Sequence, residues 1–259
     1  MVINPIRVLW IFALVFALAP TLAAGQDLSA PQPIRAWFAN PTDRYPHKIM
    51  GSLNAHTDLL AELGPCTRCS EGHRVSAIRL PESLVFEDFA PRLADMNGDG
   101  RNEIVVVESD QERGSRLAVW DVIMVGDEPV LVRGATTDYI GTRFRWLAPI
   151  GAADFDGDGT VEFAYVEKPH LDKVLRVVRQ DGGRLRLLAS VQGVTNHAIG
   201  QEKVHSRIET CSDGPTIFAL DGSGEGILSI QWDGATADVR ELGKADVRHK
   251  LNERTFCRQ

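Results

Sequence analysis

Positive charge is in short supply: Lys and Arg total 28 against 35 Asp and Glu, for a formal net charge of −7. A nucleic-acid binder carries a basic domain or patch, so the balance argues against that class and towards cations as ligands. Cysteine is scarce, with four in 259 residues. Helical periodicity is nearly missing; only Asn54 to Leu63 reads as readily as a helix as a strand. No Gly-x-Ser-x-Gly elbow, phosphate-binding loop or zinc-protease signature occurs, which removes the common sequence-legible enzyme classes. After the first 25 residues no apolar run is long enough to cross a bilayer. What remains, 44% hydrophobic and 24% charged residues, excludes wholesale disorder.

One apolar run does stand at the start. Arg7 precedes twelve apolar residues, Val8 to Ala19, then Pro20 and the small residues Ala23-Ala24-Gly25. A basic residue, a short apolar core and a small-residue site are the layout of a secretory leader. The run is too short for a spanning helix, which needs roughly 20 residues. We expect residues 1–25 to be a signal peptide and 26–259 to be one exported domain, periplasmic or secreted, with no membrane span after cleavage. Export favours disulfides. Of the three possible pairings, Cys66–Cys69 with Cys211–Cys257 is favoured. A redox pair or a zinc site at Cys66/Cys69 finds neither a βαβ setting nor, beyond the nearby His73, a fourth ligand.

The chain repeats itself. Residues 86–107 match 144–166: Ala90-Pro91 aligns with Ala148-Pro149, Asp95 with Asp154, and Glu103 with Glu162, the last two pairs 59 residues apart. A weaker copy surrounds Asp213-Gly214, and a fainter one begins near Tyr45. Between turns rich in Gly, Asp and Asn lie short runs of β-branched and aromatic residues, such as Ile104–Val107 and Phe163–Val166, which read as strands. Long-period repeats of short strands point to an all-β β-propeller of about four blades, or five, in which radial packing buries the face each blade exposes alone.

Two loops carry the chemistry. Asp95-x-Asn97-x-Asp99-Gly100-x-x-Glu103 and Asp154-x-Asp156-x-Asp158-Gly159-x-x-Glu162 place oxygen donors at positions 1, 3, 5 and 9 with Gly at 6. The main-chain carbonyls of Arg101 and Thr160 at position 7 offer one more donor each. Hard oxygens in this number suit Ca²⁺ better than Mg²⁺, which prefers a compact octahedron with several waters. An EF-hand is excluded, since position 12 is Val106 or Tyr165 and a strand run follows. Without a cation, such close carboxylates repel one another.

The segment from Gly151 to Val166, with its Asp154-Phe-Asp156-Gly-Asp158-Gly159-Thr-Val-Glu162 core, resembles an FG-GAP repeat, also called a VCBS-type repeat; the Asp95 segment is similar to it. Such repeats build the N-terminal propeller of integrin α-subunits and many bacterial exported proteins. The resemblance implies Ca²⁺ at the loop residues named. It strictly covers about 45 residues, and the Phe-Gly and Gly-Ala-Pro elements are only partly present. Asp213-Gly214 lacks the acidic set, and no metal is assigned there.

Seven histidines occur. His47 and His197 stand at similar distances before Gly51 and Gly200, so aligned blades would bring both to one end of a central channel, beside Arg44 and Tyr45. The aromatics Trp37, Phe38, Trp120, Trp146 and Trp232 suit blade cores, or a contact surface where they cluster. The expected activity is binding of a protein or glycan partner at the cell envelope. The competing class is an envelope hydrolase using His47 and His197, and a third is a structural domain whose one ligand is Ca²⁺.

Overall fold

The computed structural model describes residues 30–66, 69, 75–244, 251, 256 and 257. The leader and its cleavage point lie outside these residues, as do His73 and His249. The protein is all-β, its described elements being seventeen strands in two curled sheets. Among the described residues, no helix is long and apolar enough to cross a membrane.

The first strands are β1 (Pro33–Thr42), β2 (Ala55–Leu63), β3 (Val75–Arg79) and β4 (Leu84–Phe86). The ambiguous Asn54–Leu63 stretch is thus a strand; alternate residues Leu59, Ala61 and Leu63 are buried, the period of a half-buried strand rather than a helix. The first repeat supplies β5 (Arg92–Ala94), β6 (Glu103–Asp110), β7 (Gly114–Val125) and β8 (Glu128–Thr136). The second supplies β9 (Leu147–Ala153), β10 (Glu162–Glu167), β11 (Val174–Asp181) and β12 (Arg184–Gln192). Then come β13 (Val194–Thr195), β14 (Arg207–Cys211), β15 (Gly214–Asp221), β16 (Gly226–Trp232) and β17 (Ala237–Lys244).

In the larger, mixed sheet the order is β1-β2-β4-β6-β7-β8-β12-β11-β10-β9, with β3 on β2 and β5 on β6. Among the described residues, its one parallel pairing is the β8–β12 contact at Thr136 and Arg184. The smaller sheet runs β13-β15-β16-β17, with β14 on β15. The sequence repeat is a repeat of hairpins. Glu103 and Glu162 each open a strand and pair with Ala94 and Ala153 on the strand before, and Asp213-Gly214 turns the matching hairpin from β14 into β15.

Packing follows from strand alternation. On β6, Val105 and Val107 face a core shared with Leu147, Phe163 and Tyr165, while Ile104 and Val106 face one shared with Leu59, Leu84 and Phe86. On β10, Ala164 and Val166 turn to a third core with Ile217, Ala219 and Trp232. Strands buried on both faces read as continuous apolar runs rather than alternating ones, which is why Ile104–Val107 has no polar residue. A last cluster, Phe218, Leu220 and Ile227 with Leu251 and Phe256, lies under the C-terminal segment. Both favoured disulfides are present, Cys66–Cys69 and Cys211–Cys257. Glu209 also accepts hydrogen bonds from the Phe256 and Cys257 amides, at 3.0 and 3.1 Å.

Candidate functional site

The two acidic loops share one hydrogen-bond skeleton. In the first, Asp95 accepts from the amides of Gly98 and Gly100 at 2.8 and 2.9 Å, and Asn97 accepts from the Asp99 amide at 2.9 Å. Asp99 accepts from the Arg101 amide at 2.9 Å. Glu103, 1% exposed, reaches back to the Met96 amide at 2.7 Å. In the second, Asp154 accepts from Gly159 at 2.9 Å, Asp156 from Asp158 at 3.3 Å and Asp158 from Thr160 at 2.8 Å. Glu162, 0% exposed, accepts from the Phe155 amide at 2.8 Å. Gly100 and Gly159 sit at φ 83° and 90°, conformations that side-chain-bearing residues resist. All ten residues singled out in the sequence thus lie in the two loops; among the described residues, the acidic side chains converge in the second loop, at Asp154, Asp156 and Glu162.

The loops differ in what faces them. One oxygen each of Asp154, Asp156 and Glu162 fall within 4.8 Å of one another, and the buried Asp154 Oδ1 has no hydrogen-bond partner. Arg179, opposite Glu162 on β11, lays its guanidinium among them. Nε reaches Glu162 at 2.7 Å, Nη1 reaches Asp158 at 2.8 Å and Nη2 reaches Asp156 at 3.1 Å. Among the described residues, no cation bonds Glu103 in the first loop: one residue beyond the Ile104–Trp120 pair on β7 stands Asp121, whose charge acts on Glu103. Burial pushes the Glu103 carboxyl up to about 7, and the neighbouring Asp121, Asp99 and Asp95 charges add to the effect. Arg101 lies over Asp99 instead, Nη2 at 2.8 Å. The Asp154, Asp156 and Glu162 carboxylates could hold a hard divalent cation, with Arg179 as its competitor, whereas in the first loop the Asn97 side-chain amide donates to Glu103 at 3.0 Å.

A second constellation gathers where the strands end. His47 follows β1, Glu87 follows β4, Trp146 precedes β9, His170 follows β10 and His197 follows β13. Gly51 brings the first segment against the last: a Cβ there would lie 2.6 Å from the Gly200 carbonyl oxygen, and the Gly200 amide donates to Ile49 at 3.1 Å. A cavity of about 200 Å³ opens here, lined among others by His47, Phe144, Trp146, His170, Leu171 and Ile199. Of the two histidines singled out in the sequence, His47 lines this cavity together with His170, and His197 contacts His170, Nδ1 to Nε2 at 2.9 Å. His197 is buried at 3% exposure behind His170. Arg44 is turned away, onto the carbonyls of Pro81 and Leu84. Tyr45 accepts from the Phe144 amide at 2.9 Å, and burial raises its phenol well above the usual range. Of the aromatics, Trp120, Trp146 and Trp232 are buried and Trp37 and Phe38 half-buried.

Glu87 and His170 were missed in the sequence. Glu87, 2% exposed, is held by the Ser109 hydroxyl at 2.5 Å and by His47 Nδ1 at 2.7 Å. No sequence signal marked it; the Trp146 indole donates to the Glu87 carbonyl at 2.8 Å. The histidine tautomers follow from their acceptors. The Gln201 carbonyl can only accept, so His197 Nε2, at 2.8 Å, carries the proton. His197 Nδ1 then accepts from His170 Nε2 at 2.9 Å, leaving His170 Nδ1 a bare lone pair. Burial first, then the charges of His197, His47 and Lys173, depress the His170 imidazole to about 4, and burial lowers His197 too. A carboxylate acceptor on His47 Nδ1 likewise leaves Nε2 as the outward face of that ring; Nε2 makes no hydrogen bond among the described residues. Compared with protein-family models, with curated proteins and with solved structures, the chain matches none.

Proposed function

We propose that this chain is an exported, calcium-stabilised binding module: one β-propeller domain of FG-GAP-like repeats over residues 26–259, of about four blades or five, presenting loops to a protein or glycan partner at the cell envelope. The observation that carries this reading is the common hydrogen-bond skeleton of two acidic loops at equivalent hairpins, 59 residues apart. The burial of β6 and β10 on both faces fits the propeller reading. Two disulfides fit an oxidising compartment. In the first loop Asp95, Asn97, Asp99 and Glu103, with the Arg101 carbonyl, hold Ca²⁺. In the second, Asp154, Asp156, Asp158 and Glu162, with the Thr160 carbonyl, do so only where Arg179 gives way. The ion clamps a strand entry and takes no part in chemistry.

The test is thermal unfolding of the exported protein in Ca²⁺ and in chelator. A Ca²⁺-specific rise that Mg²⁺ does not reproduce, lost in Asp95→Ala plus Asp154→Ala, supports the reading. No shift at millimolar Ca²⁺ reduces the loops to ordinary turns. One observation favours a second reading, an envelope hydrolase: the buried Glu87 carboxylate beside His47 at a cavity mouth is the orienting arrangement of a general base. That reading requires His47→Gln to abolish a measurable turnover while the melting temperature holds.

A further inference from the structure

The cavity at His47 and His170 bears a selective chemistry, and its parts exclude ligand classes one after another. With Nδ1 on the Glu87 carboxylate, a neutral His47 ring offers Nε2 as an acceptor, and with Nε2 on His197, His170 offers Nδ1. Two bare acceptors repel a carboxylate or phosphate, which offers acceptors in turn. The basic residues around them, Lys168 and Arg145 on the lining and Lys173 close by, disfavour an organic or metal cation. The Lys168–Asp172 pair offsets only part of that charge. The occupant is therefore neutral and brings hydrogen-bond donors. Its shape is set by the walls. Trp146 and His170 lie nearly parallel, 8° apart, His47 stacks on Phe144 at 5.1 Å, and Leu171 and Ile199, 57% and 70% exposed, stand at the lining. Flat and aliphatic walls around a space of about 200 Å³ take one ring with apolar C–H faces.

We propose that this cavity binds a single neutral sugar ring, two of whose hydroxyls donate to His47 Nε2 and His170 Nδ1 while a C–H face lies against the aromatic wall. The inference deepens the binding-module reading by naming the ligand class. It does not depend on calcium: Ser109 of β6 holds Glu87 at the end of that strand remote from Glu103.

The experiment is saturation-transfer NMR on the intact exported protein with the methyl glycosides of glucose, galactose, mannose and N-acetylglucosamine. Transfer to the ring protons of at least one glycoside is expected, together with shifts of the His47 and His170 imidazole ¹⁵N resonances on its addition. His170→Phe keeps a flat ring and removes the acceptor; it should weaken Kd about tenfold, with the fold checked by circular dichroism. Should that variant not fold, the ¹⁵N shifts in the wild type decide the matter. Failure of every glycoside to show transfer, or unchanged transfer in His170→Phe, overturns the proposal. So does ZnCl₂ moving both ¹⁵N resonances where no glycoside does, which would make the pocket a metal site. Glycoside binding retained in chelator with no Ca²⁺ effect on melting sinks the calcium reading alone.

Discussion

Replacing Arg179 by Met separates the two acidic loops. The guanidinium neutralises Glu162, which is fully buried, and also reaches Asp156 and Asp158. Removing one partner of a buried ion pair costs about 3–5 kcal/mol, because the other charge stays desolvated and unpaired. Asp156 and Asp158 are partly solvated, so the lower figure applies, about 3 kcal/mol, or a fall of about 6–12 °C in melting temperature for a domain of this size. A cation should replace what the guanidinium supplied. With Kd on the order of 10⁻⁴ M, about 10 mM Ca²⁺ restores about 2.7 kcal/mol. The measurement is thermal unfolding followed by near-ultraviolet circular dichroism, with CaCl₂ or with EGTA, in an Asp95→Ala background that silences the first loop. Asp95→Ala alone should lose most of the calcium response, and Asp95→Ala plus Arg179→Met should be less stable in EGTA and regain the response. A full calcium response in Asp95→Ala with Arg179 intact would show that the guanidinium does not compete. An unchanged melting temperature in Arg179→Met would show that it does not stabilise the loop at all.

Three further outcomes follow from the same structure. Cys211–Cys257 closes a loop of sequence separation 46, so Cys211→Ser plus Cys257→Ser should cost about 4 kcal/mol by the chain-entropy relation, read as a lower denaturation midpoint with an intact far-ultraviolet spectrum. The His170 imidazole is depressed to about 4 in the fold, so between pH 6.5 and 4 the unfolded chain binds a proton that the folded chain refuses. Stability therefore falls with acidification across that window; His170→Gln should flatten the fall, and an unaltered pH profile would refute the assignment. The depressed Asp110 carboxyl, at about 2 beside Arg113, contributes stability that is lost only lower, as pH falls through 3.8 towards 2.

What the sequence discloses depends on how far apart the cooperating residues stand. The acidic loops were legible because each is complete within nine residues and occurs twice at one spacing. The strands were legible where both faces are buried, as in Ile104–Val107, and ambiguous at Asn54–Leu63, where half-exposure along one face imitates a helical stripe. Arg179 was not legible: nothing near it in the chain is acidic in the right pattern, and only the pairing of β10 with β11 sets it opposite Glu162. The pocket is harder still, since His47, Glu87, His170 and His197 come from four separated turns. What could be read was the phase of two histidines, which precede two glycines that come together in the fold; the contact of Trp146 with Glu87 joins positions that the repeat does not align.

That phase also divides the molecule's chemistry. β6 begins at Glu103, in the acidic loop, and ends beside the pocket, where Ser109 holds Glu87. Six residues of strand separate them, roughly 20 Å. An ion at one end cannot touch a ligand at the other, and Coulomb coupling over that distance is largely screened at physiological salt. On the proposed reading, calcium therefore acts on ligand binding only through the population of folded protein. Above the melting midpoint Ca²⁺ should raise apparent sugar affinity, and well below it, where the fold is already complete, it should leave Kd unchanged. A calcium-dependent Kd at low temperature would mean that the two ends of β6 are coupled through the fold, and the separation of a structural end from a binding end would fail.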